Sequence, residues 1–153
     1  MICAIAADPE LLILDEPTSG LDPLVRRQFI EAVIGVFQER APQKKTILLS
    51  THLISEFEGV VDGFTVMSGG RAVLTTEADE ARSRYRRLRA WFDGEAPERV
   101  PMKTVKPLSR EGRMLEFVVD ADAAAAEGWL TQQGAVRVDV SALSLEDIFL
   151  LAA

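Results

Sequence analysis

The stretch LLILDEPTSGLDP, Leu11 to Pro23, decides how the rest of the chain is read. Leu11, Leu12, Ile13 and Leu14 form a continuous apolar run that ends in Asp15 and Glu16. Such a run suits a strand of a parallel sheet, buried on both faces. Open α/β sheets bind their ligands beyond the carboxyl ends of the strands, where these two acids are expected to stand. A carboxylate there suits Mg2+, a hard cation that takes oxygen ligands and keeps several waters. The adjacent acid, on the other side of the strand end, suits orienting an attacking water or accepting its proton. Pro17 to Gly20 is a loop by composition. Asp22-Pro23 opens a helix, with Asp22 as N-cap and Pro23 at the first helical position.

Working outward, Val25, Phe29, Val33 and Val36 or Phe37 recur at helical spacing, and Pro42 closes that segment. Thr46 to Ser50 reads as a second apolar strand, and Leu53 to Val61 as a short helix carrying Leu53, Phe57 and Val60 or Val61 inward. Before the deciding stretch, Ile2 to Ala7 reads as the end of a buried helix stopped by Asp8-Pro9. Phe64 to Met67 and Arg71 to Thr75 read as a hairpin around Ser68-Gly69-Gly70. A helix follows over Thr76 to Arg84, where Thr76 with Asp79 resembles a capping box. Past Tyr85 the style changes. Arg86 to Asp93 and Met114 to Val119 read as strands separated by a loop containing Pro97, Pro101 and Pro107. Ala121 to Gln133 is an Ala-rich helix ending at Gly134, Val136 to Val140 a half-buried strand, and Leu145 to Leu151 a last short helix. A domain boundary is placed near Arg84.

Composition narrows the classes of function. The chain has 153 residues and a net charge of -7, from 17 basic and 24 acidic residues. A nucleic-acid binder is usually basic, so no nucleic-acid partner is expected. Cys3 is the single cysteine, so no intrachain disulfide forms. The N-terminus lacks the basic start of a signal peptide. No apolar run reaches the roughly 18 residues of a spanning helix.

The Leu11–Pro23 segment resembles the Walker B motif and D-loop of the ATP-binding subunits of ABC transporters. Asp15 matches the Mg2+-associated aspartate and Glu16 the catalytic glutamate. Ser19-Gly20-Leu21-Asp22 matches the D-loop, which in this family crosses the interface between two ATPase domains. Ser50-Thr51-His52, after the second strand, resembles the H-loop, in which His52 would contact the γ-phosphate. The resemblance implies ATP and Mg2+ as cofactors, with Asp15, Ser19, Gly20 and Asp22 on the nucleotide side and Glu16 and His52 as the catalytic pair. It implies an α/β fold: the C-terminal part of a P-loop NTPase parallel sheet with its helices, followed by a small α+β extension. Residues 1–84 would be the partial ATPase domain and 85–153 the accessory domain. The implied partners are a membrane permease subunit and a second ATPase domain, and the implied place is the cytoplasmic face of a membrane, peripherally bound.

The phosphate loop of that family, G-x-x-x-x-G-K-[ST], does not occur in the sequence; Lys44-Lys45 has no glycine before it. In the family that loop, the glutamine loop and the LSGGQ signature all precede Walker B. The resemblance therefore implies a missing N-terminal ATPase half, whether by truncation, a split gene or a misplaced start at Met1. Without it the chain is expected to hold ATP weakly, to turn none over alone, and to leave apolar sheet surface open. Met67-Ser68-Gly69-Gly70-Arg71 imitates a signature but follows His52 and sits between two strands, so it reads as a hairpin turn. Two other readings stand beside the ATPase: a non-catalytic interaction or regulatory module, and a metal hydrolase using Asp15, Glu16 and His52, for which one histidine and two adjacent acids make a poor ligand set.

Residues 85–153 resemble, more loosely, the extension that follows the ATPase core in exporter subunits. The ending Ser144-Leu145-Glu146-Asp147-Ile148-Phe149-Leu150 is similar to a tail common in the ABC-2 exporter group. Ser144 is expected to cap a helix whose Leu145, Ile148 and Phe149 pack inward. Arg82, Arg84, Arg86, Arg87 and Arg89 read as a solvated basic face paired with acids, and Trp91 and Trp129 as core residues rather than ligand platforms.

Overall fold

The computed structural model describes residues 9–39 and 45–152. The helix end expected over 2–7, Cys3, Pro42 and Lys44 lie outside the described residues. Contacts divide the chain into two packed units, 1–60 and 61–153. The hairpin and helix between residues 61 and 84 thus pack as part of the C-terminal unit, whose first residue precedes the boundary expected at Arg84.

In the N-terminal unit, β1 (Leu11–Asp15) and β2 (Thr46–Ser50) lie side by side in parallel, with Leu12 opposite Ile47 and Asp15 opposite Ser50. Helix α1 (Pro23–Glu39) supplies the crossover between them that parallel pairing requires. Asp22 caps it as expected: Leu24 and Val25 N–H donate to its Oδ1 at 3.1 and 3.2 Å. Phe29 and Val33 are buried on the helix, but Val25 is 41% exposed, because the first turn stands clear of the unit's core. A single-turn helix, α2 (Ile54–Phe57), carries the buried Phe57; Val60, beyond its end, is exposed.

The expectation that β1 is buried on both faces is corrected. Leu12 is buried, but Leu11 and Ile13 are 51% and 64% exposed, and Leu48 on β2 is 58% exposed. Alternation puts Leu11 and Ile13 on one face, and the register places Leu48 beside Ile13. A parallel sheet is covered by helices on both faces; among the described residues this face has no cover. The apolar run predicted an environment that these two strands do not have here, and open apolar sheet surface was itself an expectation.

The C-terminal unit starts with the hairpin of β3 (Gly63–Ser68) and β4 (Arg71–Glu77). Gly69 and Gly70 form its two-residue loop at φ 55° and 76°, the left-handed backbone that a primed turn needs, so the signature imitation is a turn. Helix α3 (Ala78–Arg84) begins two residues later than Thr76. Thr76 and Glu77 are drawn into β4, opposite Phe64 and Gly63, and Ala78 N–H donates to Asp62 O at 2.8 Å. Strand pairing thus overrides the capping-box pattern, and Glu77 at the N-cap makes no side-chain cap bond.

An antiparallel sheet follows in the order β6-β7-β5-β8, from β5 (Tyr85–Phe92), β6 (Thr104–Glu111), β7 (Met114–Asp120) and β8 (Ala135–Ala142). Strand β6 falls where the sequence reads as loop because of its prolines. It is tolerated as an edge strand: Pro107 takes a place opposite Phe117, and the register shifts on both sides of it, between Thr104 and Lys106 and between Pro107 and Ser109. Leu88, Ala90, Phe92, Leu115, Phe117 and Val119 share one face and bury against Ala126 and Leu130 of α4 (Ala123–Gln132). Trp129 packs partly buried against this core. Gly134, at φ 84°, ends the helix with its N–H donating to Thr131 O.

The opposite face of β5 is charged. Arg84 pairs with Asp120, Arg87 with Asp147 at 3.0 Å, and Arg89 with Glu116, while Arg82 reaches Asp79 at 3.1 Å. The basic cluster is therefore laced to acids, as the sequence reading favoured. The Arg137 guanidinium lies 4.9 Å from the Trp91 ring centre, so Trp91 is half-buried beneath a cation on this charged face and is not part of the core. In α5 (Leu145–Ala152), Asp147 N–H donates to Ser144 Oγ at 3.0 Å, so Ser144 is the expected cap, and Leu145 and Ile148 are buried.

The hydrogen bond from Arg84 holds the Asp120 carboxyl below its usual 3.8, against a smaller opposing effect of burial. A lowered carboxyl stabilises the fold above its unfolded value, and that contribution is lost as the pH falls through the lowered folded value. The pair is exposed enough for solvent to screen it, so Asp120→Asn is expected to cost less than about 1 kcal/mol at neutral pH. In unfolding titrations the gap between the two proteins should close once the pH drops below 3.8 and onward through the folded value.

Candidate functional site

The site forms where β1 and β2 end together. The parallel register sets Asp15 opposite Ser50, and the Ser50 hydroxyl donates to Asp15 Oδ1. Glu16 is the first residue past the strand. Its N–H donates to Ser50 O at 2.9 Å, with a longer contact of 3.3 Å to Ser50 Oγ. Its backbone sits at φ 43°, a left-handed conformation uncommon for a residue other than glycine. That turn sends the Glu16 carboxylate to His52, whose Nδ1 lies 2.9 and 3.0 Å from its two oxygens. The imidazole is 67% exposed and the glutamate side chain 39%, so the pair faces outward at the strand ends.

Asp15, Glu16 and His52 are thus brought together, as the sequence reading requires. The following loop is ordered by its own backbone: Ser19 N–H donates to Glu16 O at 3.1 Å and Leu21 N–H to Thr18 O at 3.2 Å. Gly20 adopts φ 76°, which explains glycine there, and Ser19 and Gly20 are exposed. Asp22 spends one carboxylate oxygen on the α1 cap.

Three residues escaped the sequence reading. Ser50 appeared there only as a strand end; its place opposite Asp15 follows once a parallel register is assumed. Thr18 is fully buried, with a hydroxyl that has no hydrogen-bond partner, and no pattern in the sequence signals this. Arg26 donates to Leu21 O from Nε and Nη2 at 3.1 and 3.0 Å and pairs with Glu56 at 2.6 Å, fixing the end of the loop to α1 and α2.

Among the described residues no cluster of three or more His, Cys, Asp or Glu side chains forms a protein cage for a metal ion. The donors present fit a different type of cation. Asp15, with one oxygen engaged by Ser50, suits Mg2+ that keeps its waters and shares phosphate oxygens with a nucleotide.

Two parallel strands joined through a crossover helix, with adjacent acids and a histidine at their carboxyl ends, make this part of the ABC ATPase fold of P-loop NTPases. No protein-family model matches the chain. Its relatives are ABC transporter ATP-binding proteins. It is 46% identical over 70 residues to the Nod factor export ATP-binding protein I of Neorhizobium galegae, a match covering 46% of this chain and 19% of that protein. An ABC transporter ATP-binding protein of a Nostoc species is 39% identical over 80 residues, 52% of this chain and 23% of its own. The bacitracin transport ATP-binding protein of Bacillus licheniformis is 37% identical over 79 residues, 52% of this chain and 25% of its own. The chain spans between 19% and 25% of the length of these curated relatives.

Proposed function

We propose that this chain supplies the Walker B, D-loop and H-loop part of an ATP-hydrolysing subunit that drives an exporter-type ABC transporter. The observation that carries this reading is the meeting of Glu16 and His52 at 2.9 Å beside Asp15, at the carboxyl ends of two parallel strands. Residues 1–84 are assigned to the ATPase domain by their motifs and 85–153 to an accessory domain.

In this reading Glu16 orients the attacking water and takes up its proton, and His52 holds Glu16 and contacts the γ-phosphate. Asp15 faces the Mg2+ of bound ATP, which would neutralise phosphate charge. Ser19, Gly20 and Asp22 lie on the loop that would face a second ATPase domain. The reading requires a complementary polypeptide bearing the phosphate loop, and a membrane permease as the driven partner. It places the protein peripherally on the cytoplasmic face of a membrane; no helix among the described residues is long and apolar enough to cross one.

Backbone N–H groups and the lysine of a phosphate loop carry most of the binding of a triphosphate. The chain by itself is therefore expected to show no saturable Mg-ATP binding below about millimolar concentration. Calorimetric titration checks this, and micromolar affinity would contradict it. Co-expression with a polypeptide carrying G-x-x-x-x-G-K-[ST] and LSGGQ should give a complex that hydrolyses ATP. A stable complex without turnover would favour the interaction module instead.

A further inference from the structure

We infer that Ser50 is the positioning residue of the acid pair, holding the Asp15 carboxylate by its hydroxyl and the Glu16 backbone by its carbonyl so that both acids are set for a cation-bound polyphosphate. The inference rests on the ATPase reading of the site and names the residue that arranges it.

Ser50 touches both acids in different ways. The hydroxyl has one proton, and it goes to Asp15 Oδ1. One carboxylate oxygen is thereby engaged and the rotation of the group restricted, leaving the other oxygen to meet a cation. The hydroxyl's lone pairs remain, and Glu16 N–H approaches them at 3.3 Å while bonding Ser50 O at 2.9 Å. That N–H belongs to the residue at φ 43°, whose backbone turn directs its carboxylate to His52. A conformation of this kind persists only where its surroundings hold it, and the Ser50 carbonyl is its backbone partner. His52 itself lies two residues beyond Ser50 on the same segment. One residue therefore sets the direction of Asp15, the turn at Glu16 and the spacing to the imidazole.

Partners that hydrogen-bond a metal-binding carboxylate typically contribute about 10- to 100-fold to metal affinity. The test uses the full chain and Mn2+ alone as a paramagnetic probe. In the unsubstituted chain Mn2+ should broaden the amide signals of Asp15 and Glu16. Ser50→Ala should weaken this binding about tenfold and move the His52 ring signals, which report on the Glu16 contact. Ser50→Cys, which keeps the side-chain volume with a poor donor, should behave like Ser50→Ala. Ser50→Thr, which keeps the hydroxyl and suits a strand, should restore the unsubstituted behaviour. Folded Ala and Cys variants with unchanged Mn2+ affinity and unmoved His52 signals would overturn the role of Ser50. Failure of Mn2+ to broaden Asp15 and Glu16 in the unsubstituted chain would instead overturn the ATPase reading of the acids, while the His52 signals of the variants still judge Ser50.

Discussion

Glu16→Gln is expected to lower ATP turnover of the completed ATPase by about 10²- to 10⁴-fold, with nucleotide binding retained, because an amide cannot take up the proton of the attacking water. The substitution is close to isosteric and should leave the fold in place. Glu16 is bound to the strand end through its backbone N–H, which the amide variant keeps. Its side chain is 39% exposed, so no buried charge is removed. Gln also retains an oxygen to meet His52 Nδ1, so the loss falls on proton acceptance rather than on position. Steady-state phosphate release by the complex measures the turnover, and equilibrium nucleotide binding by the same complex separates chemistry from binding. A variant that hydrolyses ATP within threefold of the parent would remove Glu16 from the proposed chemistry. Unfolding midpoints of the two chains should agree closely.

The largest effect on stability is expected at Phe117. Its side chain is completely buried at the centre of the C-terminal sheet, with Leu88 opposite on β5 and Pro107 on β6. The ring belongs to the core that α4 closes through Ala126 and Leu130, both fully buried. Phe117→Ala removes the transfer free energy of the ring and leaves a cavity that sheet pairing prevents from collapsing. A cost of about 3–5 kcal/mol follows. For a domain of this size that corresponds to a fall in Tm of roughly 15 °C or more. Val136, 60% exposed on edge strand β8, is the control: its Ala variant should change stability by less than about 0.5 kcal/mol. Thermal and urea unfolding of the two variants tests the contrast, and a Phe117→Ala cost below about 1 kcal/mol would show that the core is not packed as described.

Local patterns were legible wherever neighbours in sequence decide the conformation. The apolar run before Asp15, the Asp22 cap with Pro23 behind it, the Gly69–Gly70 turn and the Ser144 cap all appear as read, because each depends on backbone and side-chain bonds within a few residues. The misreadings occur where a distant strand competes with a local signal. Thr76 looks like a helix cap, yet pairing with Phe64 makes it strand. Pro107 looks like loop, yet an edge position beside Phe117 accommodates it. Val25 has the spacing of a core residue, but nothing covers the first turn of α1 deeply enough to bury it.

The same division runs through the candidate site. Sequence alone determined that two acids end a strand, that a flexible turn and a capped helix follow, and that a single histidine ends the next strand, since order along the chain and local propensity suffice for that. Only the tertiary structure decided which groups meet. Glu16 and His52 are separated by 36 residues and Asp15 and Ser50 by 35. Their contacts exist because β1 and β2 pair in parallel in one register, and a shift of one residue would turn alternate side chains to the opposite face. The burial of the Thr18 hydroxyl and the exposure of Leu11, Ile13 and Leu48 belong to the same class, because solvent exposure depends on what packs above a residue and not on the residue itself.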